Sequence, residues 1–152
     1  LSHGINELIN NKDEFKLLKN NPNKINSAIE EILRFQPPIQ VNNRRNKQET
    51  ILGDTLIPEG SSVHMIIAAA NRDPKQFTNP DNFSVSRQPN RHLSFGLGIH
   101  ICAGNTLARI EGKVAFSNLI NHFKDFNLIS KPKIANRIRF REIEELKIEL
   151  SI

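Results

Sequence analysis

The sequence predicts a mainly α-helical fold with a small β portion. Apolar residues recur at helical spacing near both ends of the chain, before residue 36 and after residue 102. Between them lie short apolar runs divided by glycine and proline, which are typical of a small sheet with tight turns. With no internal repeat and no clear linker, we expect one partial domain over residues 1–152 without an internal boundary.

The first third of the chain predicts helices. Residues 1–20 have helical apolar spacing, with a break expected near Asn10 and Asn11, and a turn follows at "NNPNK". The clearest helix is "KINSAIEEILRF", from Lys24 to Phe35, which "QPP" ends because proline cannot continue a helix.

After Pro38 the helical spacing gives way to short apolar runs and irregular sequence. "TILGDTLIPEG" and "SVHMIIAAA" predict short strands of a small sheet. The Pro- and Asn-rich stretch 71–95 predicts a long irregular segment, and irregular segments of that length usually have a function. Helical spacing resumes over 103–123, and "FNLIS", "RIRF" and "LKIELSI" predict short strands near the C-terminus.

Charge and composition exclude several classes of function. The net charge is +5, but the cations are scattered and the chain has neither Trp nor Tyr for base stacking, so we expect an acidic protein partner and not nucleic acid. No apolar run approaches the roughly 20 residues that span a bilayer, and no signal peptide is evident. Because the chain begins with Leu1, we expect that an N-terminal part of the natural protein is missing.

The single cysteine, Cys102, lies in "HLSFGLGIHICAG", where an irregular loop enters the last predicted helix. A thiolate there can be a nucleophile or a metal ligand, and a free cysteine can also be inert packing. Nucleophilic catalysis needs a positioned histidine base, and no thiol-hydrolase pattern surrounds Cys102. The ligand hypothesis also explains Gly96, Gly98 and Gly104, because glycine lets a backbone pass close to a flat cofactor.

Four motifs carry a family resemblance. "FGLGIHICAG", Phe95 to Gly104, resembles the cysteine-ligand loop F-G-x-G-x-H-x-C-x-G of cytochrome P-450 enzymes. "EEILR" is similar to the E-x-x-R helix of that family, and "NRDPKQFTNPDNFSVSR" with "PNRHLSFG" resembles the meander that leads to the loop. "RRNKQETILGDTLIPEG" is similar to the segment that supplies a propionate-binding arginine.

The resemblance implies the C-terminal part of the cytochrome P-450 fold: E-x-x-R helix, small sheet, meander, cysteine loop and following helix. It implies haem b as cofactor, with Cys102 as the iron ligand and catalytic residue. The implied haem contacts on the loop are Phe95, Gly96, Gly98, His100, Cys102 and Gly104. His100 and Arg44 are expected to meet the propionates, with Arg45 as the alternative to Arg44.

The resemblance also implies a charged network of Glu31, Arg34 and Arg87 that holds the cysteine loop; a solvated surface pair is the alternative. His92 is expected to be structural, and His3, His64 and His122 are assigned no role.

The implied reaction inserts one oxygen atom of O₂ into a small organic substrate, because a cysteine thiolate on haem iron favours O–O cleavage. The implied electron donor is a ferredoxin or flavoprotein, which Arg91, Arg109 and Lys113 would attract if it is acidic. A solvated surface explains these three residues equally well.

The resemblance covers only the C-terminal third of a cytochrome P-450, so the missing N-terminal part is an expected partner, and the isolated chain is expected to be inactive. We expect a cytoplasmic location. The alternatives are a truncated, non-catalytic remnant that associates with itself, and a thiol enzyme unrelated to haem.

Overall fold

Five α-helices and four small sheets make up the computed structural model, which describes residues 1–151. The helices are α1 (Ser2–Asn10), α2 (Lys12–Asn20), α3 (Ile25–Phe35), α4 (Ile67–Ala70) and α5 (Asn105–His122). The strands are β1 (Val41–Arg45), β2 (Thr50–Leu52), β3 (Thr55–Ile57), β4 (Ser62–Ile66), β5 (Asp125–Leu128), β6 (Lys133–Ile134), β7 (Ile143–Glu145) and β8 (Ile148–Ser151). This order confirms the mainly α fold with a small β portion.

The break between α1 and α2 falls at Asn11, as the sequence predicts. Its backbone amide donates to the Glu7 carbonyl at 2.9 Å, and its side-chain amide donates to the same oxygen at 2.8 Å. These bonds satisfy a carbonyl that the end of α1 would leave without a partner. The next helix, α3, begins one residue later than predicted and ends at Phe35 before the two prolines.

Each sheet consists of two antiparallel strands, paired β1 with β4, β2 with β3, β5 with β8 and β6 with β7. β2 and β3 form a hairpin whose turn includes Gly53, with φ +60°. Two strand predictions were partly wrong. The "IAAA" end of "SVHMIIAAA" forms α4, whose last turn is closed by the Asn71 amide on the Ile67 carbonyl, and "RIRF" makes only one isolated bridge, from Phe140 to Ile39.

The hydrophobic core lies where α1, α2, α3 and α5 meet the β5–β8 sheet. Its buried members are Leu8, Ile9, Phe15, Leu18, Ile25, Ala28, Ile29, Ile32, Phe83, Val85, Phe116, Ile120 and Phe126. Gly112 faces α3 across this contact, and a Cβ built at this position would lie 3.4 Å from Ile29, at ordinary van der Waals distance. The core thus fixes α3, which carries the predicted charged network, against α5, which follows Cys102.

Only one of the two apolar faces of α5 reaches this core. Gly112, Phe116 and Ile120 are buried, whereas a row of apolar side chains on the other face is more than half exposed. That row, called here the α5 outer face, consists of Leu107, Ile110 and Val114.

The stretch 71–97 contains no helix or strand, which confirms the predicted irregular segment. Phe77, Phe83 and Val85 anchor it by packing into the interior. Its backbone carbonyls turn toward arginine side chains, which supply the hydrogen bonds that regular structure would otherwise provide.

Candidate functional site

Cys102 opens onto an apolar cleft of about 690 Å³ between α3, the β1–β4 sheet, α4 and the cysteine loop. The cleft is lined by Leu33, Pro38, Ile39, Asn42, Arg44, Met65, Ile66, Ile67, Ala70, Leu93, Ser94, Phe95, Gly96, Leu97, His100 and Cys102. Most of these side chains are hydrocarbon, and the Cys102 thiol is free and exposed. The lining therefore combines an exposed thiol with walls that suit a flat apolar molecule.

The cysteine loop is a compact turn that presents the thiol. Gly96 and Gly98 have φ values of +73° and +68°, a backbone region that side-chain-bearing residues rarely adopt. The Cys102 amide donates to the Phe95 carbonyl at 2.8 Å and closes the loop. A Cβ built at Gly104 would lie 4.0 Å from Cys102 Sγ, so this glycine leaves space beside the sulfur.

The two candidate propionate arginines point to different surroundings, because neighbouring residues of a strand face opposite sides. Arg44 lines the cleft, and the register pairs it with Val63 on β4. Arg45 is absent from this lining, and its Nη2 lies 3.8 Å from a Cβ built at Gly60. Arg44 and His100 are thus the two cationic residue types that the structure brings to the cleft with Cys102.

Glu31, Arg34 and Arg87 are in direct contact beneath the site. Arg34 donates from Nε and Nη2 to the Glu31 carboxylate at 2.7 and 2.8 Å, and both side chains are fully buried. Arg87 Nε donates to both carboxylate oxygens at 3.1 and 3.0 Å. This geometry corresponds to the predicted buried network and not to a solvated surface pair.

The network extends into the irregular segment through backbone groups. Arg34 Nη1 donates to the carbonyls of Asn71 and Pro80 at 2.9 and 2.8 Å, and Arg87 Nη1 donates to Thr78 at 2.7 Å. The Ser84 amide donates to Glu31 at 2.9 Å. A single buried carboxylate on α3 therefore organises much of the segment that leads to Cys102.

Asn71 links this network to the cysteine loop, a role that the sequence analysis missed. Its side chain is fully buried; Oδ1 accepts from the Leu93 amide at 2.8 Å, and Nδ2 donates to Ser94 Oγ at 2.9 Å. Ser94 Oγ donates in turn to the Leu33 carbonyl at 2.7 Å. An Asn following an apolar run is common at helix ends, so its spacing alone gave no signal of this role.

Glu30 was also missed, and it changes the interpretation of Arg109. Arg109 makes a bidentate ion pair with Glu30, at 2.6 Å from Nε to Oε1 and 2.9 Å from Nη2 to Oε2. The same carboxylate contacts His92 Nε2 at 3.0 Å. Arg109, one of the three cations expected to attract an acidic electron donor, is therefore already paired with a carboxylate, that of Glu30.

Hydrogen bonds hold Glu30 in its ionised form. Burial alone would raise the pKa of the Glu30 carboxyl, but hydrogen bonds from His92 and Arg109 and the attraction of Arg109 lower the pKa to about 2. The same pair raises the pKa of Arg109. His92 accepts the Ser94 amide at Nδ1, so its Nε2 carries the proton toward Glu30, which fits the predicted structural role.

Phe95 lies between these groups at the start of the loop. The Arg109 guanidinium carbon is 4.7 Å from the Phe95 ring centroid, and the His92 ring centroid is 6.1 Å away. A cation over an aromatic face is attractive, so Arg109 ties the loop to α5 as well as to α3.

These residues fit a haem group. Haem needs an axial ligand for its iron, apolar walls for its ring and cations for its carboxylates. Cys102 offers the ligand, and Leu97, Ile66 and their neighbours offer the walls. Arg44 offers a cation and His100 a ring nitrogen that can hydrogen-bond a carboxylate, all in one cleft.

Among residues 1–151, no helix is long and apolar enough to cross a membrane. No group of three or more His, Cys, Asp or Glu side chains in that range could hold a metal ion.

Comparison with known proteins gives one consistent family. The model of the family described as "Cytochrome P450" matches residues 5–139. The biotin biosynthesis cytochrome P450 of Bacillus subtilis is 36% identical over 149 residues, which cover 97% of this chain and 38% of that protein. The polyketide biosynthesis cytochrome P450 PksS of the same species is 37% identical over 155 residues, which cover 99% of this chain and 38% of that protein.

A solved structure agrees in fold. The crystal structure of P450BioI in complex with acyl carrier protein ligated by hexadec-9Z-enoic acid superposes with a TM-score of 0.96 at 36% identity, covering 99% of this chain and 39% of that one. The chain spans less than two fifths of the length of these relatives. Because the family model matches residues 5–139 and relatives more than 30% identical cover almost all of the chain, the chain belongs to the cytochrome P450 family.

Proposed function

We propose that this chain is a single partial domain, the C-terminal portion of a haem-thiolate monooxygenase, with Cys102 as the proximal iron ligand. The observation that carries the proposal is the exposed Cys102 thiol in an apolar cleft that also holds Arg44 and His100. An exposed thiol, apolar walls and two basic side chains match the chemistry of haem b.

Each residue of the cleft has a distinct task in this proposal. Haem bound through a thiolate supplies the cleavage of O₂ that monooxygenation needs. Cys102 donates the thiolate, and Gly96, Gly98 and Gly104 keep side chains away from the ring and sulfur. Arg44 and His100 pair with the propionates and so fix the rotation of the ring in the cleft.

The network beneath the cleft provides the stiffness that a ligand loop requires. Glu31 and Arg34 are buried and paired, and Arg87 joins them from the irregular segment. We infer that this network holds Cys102 in a fixed position in the cleft, because loops position ligand atoms well only when neighbouring groups support them.

The substrate is proposed to be a small apolar organic molecule. Met65, Ile66 and Ile67 form an apolar rim on the cleft, and Ile66 is about half exposed. A fatty acyl chain is one candidate, since P450BioI was crystallised with an acyl carrier protein bearing hexadec-9Z-enoic acid. Binding of hexadecenoic acid by the haem-loaded protein, read as a change in the haem absorbance spectrum, tests this class against a polar compound of similar size.

An acidic ferredoxin or flavoprotein is the proposed electron donor, in the cytoplasm, where a single cysteine stays reduced. Arg91 and Lys113 are exposed and remain candidates for its docking site, whereas Arg109 is already paired with Glu30. Lys113→Glu should slow reduction of the haem by a ferredoxin without loss of haem. An unchanged rate in Lys113→Glu and Arg91→Glu would exclude this docking site.

The first test is the carbon monoxide difference spectrum of the reduced, haem-reconstituted protein, with Cys102→Ser beside it. The thiolate proposal predicts a Soret band at the thiolate-ligated position that the serine variant lacks. Haem uptake with the same spectrum in both proteins would contradict Cys102 as the ligand. No uptake by the 152-residue chain would mean that the chemistry requires further parts of the polypeptide.

A second candidate function is a non-catalytic module that associates with itself, and the α5 outer face favours it. Leu107, Ile110 and Val114 are each more than half exposed, and such a row is usually covered by other protein. Sedimentation of the chain distinguishes the candidates: a dimer that Ile110→Glu converts to a monomer supports self-association. A monomer at all concentrations excludes it.

A further inference from the structure

We propose that Glu30 is a positioning residue for Cys102, acting through a relay of hydrogen bonds that passes along Arg109 and Asn105 to the Cys102 carbonyl. The inference rests on the proposed function only in that Cys102 is there the iron ligand. The relay itself consists of contacts between side chains of this chain and can be tested without haem.

The relay has three links. Glu30 holds the Arg109 guanidinium through Nε and Nη2, at 2.6 and 2.9 Å. The remaining nitrogen, Nη1, donates to Asn105 Oδ1 at 2.8 Å. Asn105 Nδ2 then donates to the Cys102 carbonyl at 2.6 Å.

Each link determines the orientation of the next one. An exposed arginine ordinarily samples many rotamers, but a bidentate carboxylate fixes the plane of the guanidinium and thereby the direction of Nη1. Because Nη1 is a donor, the Asn105 amide must turn its oxygen to Arg109 and its NH₂ group to Cys102. The opposite amide orientation would set its oxygen against the Cys102 carbonyl oxygen.

The relay ends at Cys102, the proposed iron ligand. The Cys102 amide is bonded to the Phe95 carbonyl at 2.8 Å. The Cys102 carbonyl accepts the Asn105 backbone amide at 3.2 Å, and the relay adds the shorter bond from the Asn105 side chain, at 2.6 Å, to this second peptide group beside the same Cα. With both peptide groups fixed, the direction of the Cα–Cβ bond and hence of Sγ is set. Glu30 thus connects α3 to the thiol by a route separate from the Glu31 network.

The haem-free test uses the full 152-residue chain, isotopically labelled, and NMR of two reporters: the Cys102 carbonyl carbon and the Asn105 side-chain NH₂ group. Glu30→Gln should speed hydrogen exchange of that NH₂ group about tenfold, the effect of losing a hydrogen bond to a charged group, and should shift the Cys102 carbonyl resonance. The matched control is Glu142→Gln, which removes an exposed ion pair with Arg137 at 3.1 Å and should change neither reporter.

A double variant separates the relay from a general loss of stability. In an Asn105→Ala background, Glu30→Gln should leave the Cys102 carbonyl resonance where Asn105→Ala alone puts it, because the middle link is gone. A shift that persists at full size in that background, or no shift in Glu30→Gln alone, would overturn the relay.

The haem-loaded protein gives the second readout. If the relay positions the thiolate, Glu30→Gln and Asn105→Ala should each speed the conversion of the reduced carbon monoxide complex from its thiolate-ligated to its thiol-ligated spectrum about tenfold. Unchanged conversion in both variants would overturn the positioning role. A parent protein without the thiolate-ligated spectrum would contradict the proposed function instead, and the NMR experiment would still decide the relay.

Discussion

Glu31 and Arg34, one turn apart on α3, form a bidentate ion pair in which both side chains have no solvent exposure. Two charges out of water are stable only when every remaining donor and acceptor is used. Arg34 uses its remaining nitrogen, Nη1, on the carbonyls of Asn71 and Pro80, and Glu31 accepts from Arg87. The pair therefore ties two otherwise irregular stretches of chain to one helix.

Removing one partner of this pair should be far more harmful than removing an exposed charge. Arg34→Ala is expected to lower the free energy of unfolding by about 3–5 kcal/mol, since it leaves the Glu31 carboxylate buried without its main partner. Arg137→Ala, which breaks an exposed pair with Glu142, should change the free energy of unfolding by less than about 1 kcal/mol. Urea unfolding followed by circular dichroism measures both, and equal stability of the parent and Arg34→Ala would contradict the account of the network.

Arg44 and Arg45 offer a matched test of the cleft. Both are exposed and adjacent on β1, but only Arg44 lines the cleft with Cys102. Arg44→Ala should weaken haem binding about tenfold, because it removes a charge-assisted contact to a propionate. Arg45→Ala should leave haem affinity within about twofold of the parent, a change of less than 0.5 kcal/mol. Haem titration followed by absorbance measures both, and the reverse order would assign the propionate contact to Arg45.

Two helical glycines should respond oppositely to the same substitution. A Cβ at Gly4 would overlap Phe116 and lie 2.8 Å from Ile32 Cδ1, both in the packed core, so Gly4→Ala should cost about 1–3 kcal/mol. A Cβ at Gly112 would lie 3.4–3.6 Å from Ile29, an ordinary contact, so Gly112→Ala should stabilise the chain by about 0.5–1 kcal/mol through helix propensity. Thermal unfolding of the two variants measures this contrast; a stabilised Gly4→Ala would contradict it.

The local sequence pattern predicted where helices begin and end better than it predicted which of their faces pack against the core. The apolar spacing from Lys24 to Phe35 located α3 within one residue, because the prolines that follow end a helix whatever surrounds it. In α5 the apolar spacing includes Leu107, Ile110 and Val114 as well as the buried Phe116 and Ile120. Periodicity identifies apolar positions, but it cannot tell which of two apolar faces meets the core, and that depends on where α3 lies.

In the candidate site, too, features that are contiguous in sequence could be predicted, and contacts between distant residues could not. The cysteine loop could be recognised because its glycines and Cys102 are contiguous in sequence. The partner of Arg109 could not, because Glu30 lies 79 residues away and only the packing of α5 on α3 brings them together. Asn71 was missed for a related reason: its importance comes from burial and from contacts with the distant residues Leu93 and Ser94.

The Glu30 ion pair should make stability depend on pH in the acid range. The pKa of Glu30 is lowered from the ordinary 4.5 to about 2, so the folded state binds the proton less well than the unfolded state. The stabilisation is therefore fully present above the ordinary value and is lost as the pH falls from about 4.5 toward 2. Glu30→Gln cannot titrate at this position, and it should lack this part of the acid destabilisation.

The difference in unfolding free energy between the parent and Glu30→Gln should accordingly be constant above about pH 5 and shrink steadily below it. Urea unfolding at a series of pH values measures the difference, and NMR of the Glu30 carboxyl carbon gives its pKa directly. Arg109→Gln is the matched variant: it keeps an amide near Glu30 but removes the charge, so the pKa of Glu30 should move back toward 4.5. A stability difference that is the same at pH 3 and pH 6, or a Glu30 pKa unmoved by Arg109→Gln, would show that Arg109 does not set the charge of Glu30.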